Sequence, residues 1–402
     1  MTVPASPIGQ VVPLADGTRV RIAGQLELLD VDGAWRPVRL PSRRWTHFPP
    51  AAEFLRAVVE QPAGVRLLVR TAATRLALRV RCTQFRLADQ PLPANCFVAC
   101  VDGTPVATAP TPLDGVRTIG LDSESATTER VRPDSVVDLG PLPPGDKTVQ
   151  IWLPQSVTVD LLGLSGDAPV DAAPTDRPVW LHHGSSISHC VEAGEPTSAW
   201  PVVAAREANL EVINLGFAGQ CMLDPFVADA IAATPADVIS LKVGINLVGA
   251  RAMDRRTFVP ALHGFLDRIR AGHPRTPLVL ASAILWPGSE DVPGPGTPDI
   301  AADGSFTYRA AGDPADVALG ALTLATSREH VRHVAQVRAA AGEPIHYLDG
   351  RELYGAADAE RSPLPDGLHP DGAIYREMGA RFARLVFGPD GLLPRDRMDR
   401  AG

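Results

Sequence analysis

Residues 179–190 read VWLHHGSSISHC. An apolar start that runs into glycine and serine reads as a buried strand ending in a turn. In a parallel sheet the residues just past a strand's carboxyl end are where ligands sit. Within Trp180–Cys190, three histidines, three serines and a cysteine crowd around Gly184. The stretch is open to four readings: a metal site, a thiol site, a serine nucleophile, or a polar turn without chemistry.

Downstream, apolar runs recur at EVINLGF (211–217), DVISLKVG (237–244), PLVLASAIL (277–285) and IHYLDG (345–350). Helical stretches separate them near 198–209, 223–233, 254–272 and 316–341, with a last one near 372–387. Five buried strands alternating with helices predict a parallel α/β sheet covered on both faces.

Upstream the pattern is different. Short β-rich runs at 64–70, 74–82, 96–103, 135–140, 147–154 and 157–164 are punctuated by DG, PPGD and PLP. That spacing predicts a β-sandwich, jelly-roll-like domain, with a helix at AAEFLRAVVE (51–60). SGDAPVDAAPTDRP (165–178) reads as a linker from its Pro, Asp and Ala content. The expected organisation is an accessory domain at 1–165, a linker at 166–177, an α/β catalytic domain at 178–390 and a tail at 391–402. The Pro/Gly-rich stretch 286–316 follows a strand end, and reads either as a substrate cover or as a surface excursion.

Composition narrows the function. With 402 residues, 45% hydrophobic and 21% charged, the chain suits an ordinary globular protein of two domains. Its net charge of −8, with Lys147 and Lys242 the only lysines, argues against nucleic acid as a partner. No apolar run is long enough for a membrane span. The first residues lack a basic segment followed by an apolar core, so a cytoplasmic location is the default expectation. The five cysteines, Cys82, Cys96, Cys100, Cys190 and Cys221, form no C-x-x-C pair and predict no disulfide framework. A glycine-rich phosphate loop is absent from the first strand–helix turn, so nucleotide binding has no sequence support.

The polar residues at the strand ends fall into four groups. They are Gly184-Ser185-Ser186, then Asn214, Gly216 and Gly219 in NLGFAGQ, then Gly244-Ile245-Asn246, and Asp366 with His369 in LPDGLHPDG (364–372). In this order, G-x-S-I, N-x-G-x-x-G, G-x-N and D-x-x-H resemble the signature blocks of the SGNH hydrolases, the GDSL-like lipases and esterases. The resemblance covers about 178–390. It implies a flavodoxin-like three-layer α/β/α fold and an acyl-serine mechanism, with a catalytic set of Ser186, His369 and Asp366. It also implies an oxyanion hole from Ser186, Gly219 and Asn246. The chemistry is consistent residue by residue. A serine after a strand stands exposed, a histidine takes its proton, and an aspartate three residues earlier orients the ring. Glycine lets a backbone N–H approach closely, and the asparagine amide adds a donor. Two positions depart from the family. Ser185 stands where Asp is frequent, and Leu247 replaces another frequent Asp; neither carries a proton-transfer or oxyanion role.

Plainer readings stand beside these. Ser185 and Ser188 rival Ser186, but the G-x-S register favours Ser186. Strand alternation sends His182 and His183 to opposite faces, which disfavours a shared metal, and no metal is expected. His189 lines a pocket or packs beneath it. Cys190 and Cys221 read as buried thiols, although Cys221 follows Gly219 closely enough to touch substrate. His330 and His333 fit a solvated helix face. Asp349 ends the fifth strand and rivals Asp366 as the histidine's partner. Asn214 and Gly216 shape a turn. The activity implied is hydrolysis of small or carbohydrate-like carboxylic esters. Transfer of the acyl group from an ester or thioester to an alcohol is the alternative within the same chemistry. A non-catalytic carbohydrate-binding protein is the alternative of another class.

Overall fold

A computed structural model of the chain describes residues 2–4, 9–88, 90–120, 125–300 and 306–394. The chain forms two compact units. One comprises residues up to 179 with 191–202 and 209–215. The other comprises 180–190, 203–208 and everything from 216 onward.

The first unit is built on two sheets, antiparallel apart from one strand pair. One sheet runs, in spatial order, Thr2–Pro4, Glu27–Val31, Ala34–Val38, Val157–Gly166, Leu76–Leu87, Gly115–Ile119, Ala126–Arg130. The other runs Gln10–Pro13, Arg19–Ala23, Arg66–Thr71, Lys147–Trp152, Cys96–Val101, Thr104–Pro110. Gly115–Ile119 runs parallel to Leu76–Leu87. Alternate residues from both sheets point into one buried cluster: Leu76, Leu78, Val80 and Cys82 from one, Leu67, Val69, Val149 and Ile151 from the other. This is the period-two pattern of sheets with one face on a shared core. The expected helix at 51–60 is Glu53–Glu60. The four strands between Gln10 and Val38 escaped the sequence reading, because each is short and half-exposed and so offers few apolar positions. Within 165–178, Val170–Ala172 pairs antiparallel with Arg66–Thr71. A three-residue edge strand owes its existence to its partner, which local composition does not reveal.

The α/β region of the chain begins at residue 179; within it residues 179, 191–202 and 209–215 cluster with the first unit and the rest form the second. Its elements are β1 (Val179–Gly184), α1 (Ser186–His189), α2 (Trp200–Glu207), β2 (Glu211–Gly216), α3 (Pro225–Ala232), β3 (Val238–Lys242), α4 (Ile245–Gly249), α5 (Arg255–Gly272), β4 (Leu278–Ala281), β5 (Gly296–Ile300), β6 (Phe306–Ala310), α6 (Leu324–Ala340), β7 (Ile345–Leu348), α7 (Ala356–Arg361) and α8 (Gly372–Phe382). The sheet order is β2-β1-β3-β4-β7, the order of flavodoxin-like folds, in which ligands gather at the switch point beside the first strand. Pairing is parallel through β1, β3, β4 and β7. All residues of β1, β3 and β4 are buried, as the continuous apolar runs implied.

Helix starts follow their caps. Asp254 accepts from the Arg256 and Thr257 N–H groups, and Asp371 from those of Ala373 and Ile374. Thr323 caps α6, so this helix begins eight residues later than the apolar pattern suggested. The stretch 286–316 is not structureless: β5 and β6 pair as an antiparallel hairpin. Of the expected tail, residues 395–402 lie outside the described residues. Among the described residues, no helix is long and apolar enough to cross a membrane.

Trp180 anchors this unit. Its fully buried ring stacks on Phe382 at 5.0 Å, meets Phe387 edge-on at 5.5 Å, and its Nε1–H donates to Ser240 Oγ. Trp180→Ala leaves a cavity and removes one of the two hydrogen-bond partners of Ser240 Oγ, and should destabilise the protein by about 3–5 kcal/mol, read from urea denaturation.

Candidate active site

The site begins where β1 ends. Ser185 is the N-cap of α1, and its carbonyl accepts from the Ser188 and His189 N–H groups at 2.9 and 3.0 Å. Ser186 is therefore the first residue of a one-turn helix. Its N–H has no acceptor among the described residues. Ser185, Ile187, Ser188 and His189 are buried, and Ser186 alone in this turn is partly exposed.

A buried polar chain supports the turn from beneath. His182 Nδ1 and Ser240 Oγ are 2.7 Å apart, and His182 Nε2 and Ser188 Oγ are 2.8 Å apart. Burial first, and then the positive charge of Lys242, hold His182 well below its ordinary pKa, so its ring is neutral. Ser188, one of the rival serines, is thereby committed to holding α1. Ser185 Oγ is buried without a partner among the described residues.

On the opposite side, His369 Nε2 lies 2.9 Å from Ser186 Oγ, and His369 Nδ1 lies 2.7 Å from Asp366 Oδ2. Asp366 Oδ1 accepts the Leu368 and His369 N–H groups at 2.9 and 2.6 Å. Burial pushes this carboxyl up. The His369 hydrogen bond and charge, with the two backbone donors, outweigh it and hold the group below the usual carboxylate range. An ionised Asp366 fixes the proton on Nδ1, which leaves Nε2 to accept from the serine hydroxyl. Because the folded pKa is depressed, the pair's contribution to stability is present above the unfolded carboxylate pKa. It is lost as pH falls through the folded value.

Two further donors, Asn246 and Gly219, complete the set that the sequence suggested for the oxyanion. Asn246, in the first turn of α4, accepts the Cys221 N–H on its Oδ1 at 3.1 Å. That bond fixes the amide so that Nδ2 is the group left to donate. Gly219 has φ +68, a conformation costly for a side chain, and its N–H has no acceptor among the described residues.

The remaining candidates are accounted for by packing. His183 faces away from His182 and lies between Phe217 and Phe265, its Nε2 3.5 Å from the Cys221 sulfur. His189 and Cys190 are buried, with Cys190 in the left-handed conformation that ends α1. Asp349 is engaged by Arg351 at 2.7 Å and lies 3.7 Å from Arg328. His333 is exposed and His330 half-buried on α6. Asn214 and Leu247 are fully buried, and Gly216 lies against the α1 backbone.

Three residues carry a perturbed or placed group that the sequence did not announce. Tyr308, on β6, sets its ring edge-to-face with His369 at 5.4 Å. Lys242 ends β3 fully buried, its Nζ without a partner among the described residues, and burial lowers its pKa to about 8. Asp224, at the start of α3, is raised by burial to about 6. None has a motif. A lysine inside the apolar run DVISLKVG was the one visible signal.

Residues 177–286 match the model of the GDSL-like Lipase/Acylhydrolase family. The α/β unit belongs to the SGNH, or GDSL-like, hydrolases. The chain is thus an enzyme of the SGNH serine-hydrolase type. Among solved structures, a salicylyl-acyltransferase from a tetracycline biosynthetic pathway is similar at 26% identity, with a TM-score of 0.73, over 94% of this chain and 97% of that one. A family two carbohydrate esterase from Clostridium thermocellum, in complex with cellohexaose, is similar at 15% identity and TM-score 0.54, over 82% of this chain and 94% of that one. A family two carbohydrate esterase from Cellvibrio japonicus is similar at 14% identity and TM-score 0.53, over the full length of both. The two esterases share the fold with this SGNH chain. No curated protein matches it significantly.

The cysteines of this SGNH enzyme are expected to be inert. All five are buried, and burial raises Cys96 to about 11 and Cys221 to about 12. Iodoacetamide at pH 8 should leave Cys221 unlabelled in the native protein and label all five cysteines once the chain is unfolded in urea, as read by mass spectrometry.

Proposed function

We propose that Ser186, His369 and Asp366 form the catalytic triad of an esterase acting on small or carbohydrate-like carboxylic esters. The observation that carries this reading is the continuous pair of hydrogen bonds, Ser186 Oγ to His369 Nε2 at 2.9 Å and His369 Nδ1 to Asp366 Oδ2 at 2.7 Å. Ser186 Oγ attacks the ester carbonyl as its proton passes to Nε2. The charge that develops on the carbonyl oxygen meets the N–H groups of Ser186 and Gly219 and the Asn246 Nδ2. His369 then returns the proton to the departing alkoxide. A water molecule repeats the sequence on the acyl-serine and releases the acid. Asp366 stays ionised and holds the imidazolium in place. The chemistry calls on no metal or organic cofactor. In this reading residues 178–390 are the catalytic domain and 1–165 a β-sandwich accessory domain, consistent with the two sheets around one core.

Acyl transfer is the second reading, favoured by the 26% identity to the salicylyl-acyltransferase over nearly the whole chain. The same acyl-serine is then resolved by an alcohol or sugar hydroxyl in place of water. Incubation with a thioester donor and a panel of alcohols separates the two: a new ester marks transfer, free acid alone marks hydrolysis.

Ser186→Ala should abolish cleavage of p-nitrophenyl acetate, because it removes the hydroxyl that lies 2.9 Å from His369 Nε2. Undiminished turnover would remove Ser186 from the mechanism and favour a carbohydrate-binding role for the fold. Asn246→Ala should lower kcat by about 100- to 1000-fold with KM little changed, since the amide is proposed to act on charge present only in the transition state.

A further inference from the structure

The hairpin β5–β6 stands between two parts of the site. On one side, β5 packs against α4, the helix that carries Asn246, and Arg251 just past α4 is paired with Asp316 at 2.5 Å. On the other side, β6 docks on the loop that carries Asp366 and His369. The Tyr308 N–H donates to the Asp366 carbonyl at 2.7 Å. Gly367, at φ +78, lies so close that an added Cβ would sit 3.1 Å from the Tyr308 carbonyl. The main chain of the hairpin and the main chain of the histidine loop are thus fitted to each other, and the Tyr308 ring is delivered against the imidazole as a result.

We propose that Tyr308 is a positioning residue for His369, an inference that rests on the acyl-serine reading above. Both nitrogens of the imidazole are committed, Nδ1 to Asp366 and Nε2 to Ser186. What remains for a neighbour to touch is the carbon edge or the face of the ring. Tyr308 occupies that space, its ring at 86° to the imidazole with centroids 5.4 Å apart. An aromatic ring in this place blocks rotation about the Cβ–Cγ bond, the motion that would swing Nε2 away from the serine. The work is done by the ring, and the hydroxyl is dispensable.

The test uses the full chain and a fluorophosphonate probe. Labelling forms the Ser186 Oγ–phosphorus bond, expels fluoride, and passes the serine proton to His369 Nε2, so its rate reports whether the imidazole is in place. Tyr308→Ala should label about 10- to 100-fold more slowly than wild type, with kcat on p-nitrophenyl acetate falling by a similar factor and KM within about threefold. Tyr308→Phe should restore both rates to within about threefold of wild type. Melting temperatures identify any variant that does not fold; should Tyr308→Ala fail in this way, Tyr308→Leu is read in its place. A Tyr308→Ala rate within about twofold of wild type overturns the role of Tyr308 alone, and so does a Tyr308→Phe rate as low as that of Ala. A wild-type protein that leaves Ser186 unlabelled overturns the acyl-serine reading itself, and the role of Tyr308 with it.

Discussion

A hydroxyl and an imidazole separated by 183 residues of chain share one hydrogen bond, and the α/β unit is arranged to make that bond possible. The serine needs the carboxyl end of β1, which neighbours β3 in the sheet, and the histidine needs a loop that returns to the same end after β7. A parallel sheet provides both, because every strand delivers its following residues to one edge. Short helices do the final aiming. One turn of α1 lifts Ser186 out of a buried sequence, and Asp371 starts α8 so that the residues before it are held as a tight loop.

The material below the site is unusually polar for a sheet interior. Trp180, Ser240, His182 and Ser188 make a connected set of hydrogen bonds between β1, β3 and α1. Such a set is worth having only when its members are paired, since each unpaired member costs about 1–3 kcal/mol. What the set provides is a fixed α1. A helix of one turn has too few internal bonds to hold its own position, and Ser188 supplies an external one. Lys242 is the exception to this economy: its Nζ has no hydrogen-bond partner among the described residues, and burial lowers its pKa to about 8 against a smaller opposing effect of Cys221 and Cys190.

Hydrolysis and acyl transfer differ in how the acyl-serine is resolved, and both share every step before it. The residues that form the intermediate therefore do not discriminate between them; the groups that admit or exclude water do. The chain is similar to an acyltransferase over nearly its whole length and shares its fold with two carbohydrate esterases.

Much of the α/β half was legible because its signals are local. Buried parallel strands show as apolar runs, capped helices follow them, and Asp366 and His369 are three residues apart in a turn rich in Gly and Pro. The short strands between Gln10 and Val38 were not legible, since pairing across a sheet, and no apolar pattern, makes them strands. Nearness to His369 in the chain favours Asp366 over Asp349; in the structure Asp366 bonds His369 Nδ1 and Asp349 is engaged by Arg351. Tyr308 had no signal at all: it lies in a Pro/Gly-rich stretch, 61 residues before His369 by subtraction of their numbers, and its ring reaches the imidazole only because a hairpin folds there. The sequence by itself determined which groups could do chemistry and on which strand ends they stand. Only the tertiary structure decided which of them meet, because hydrogen bonds of 2.7 and 2.9 Å demand a placement that no spacing along the chain can encode.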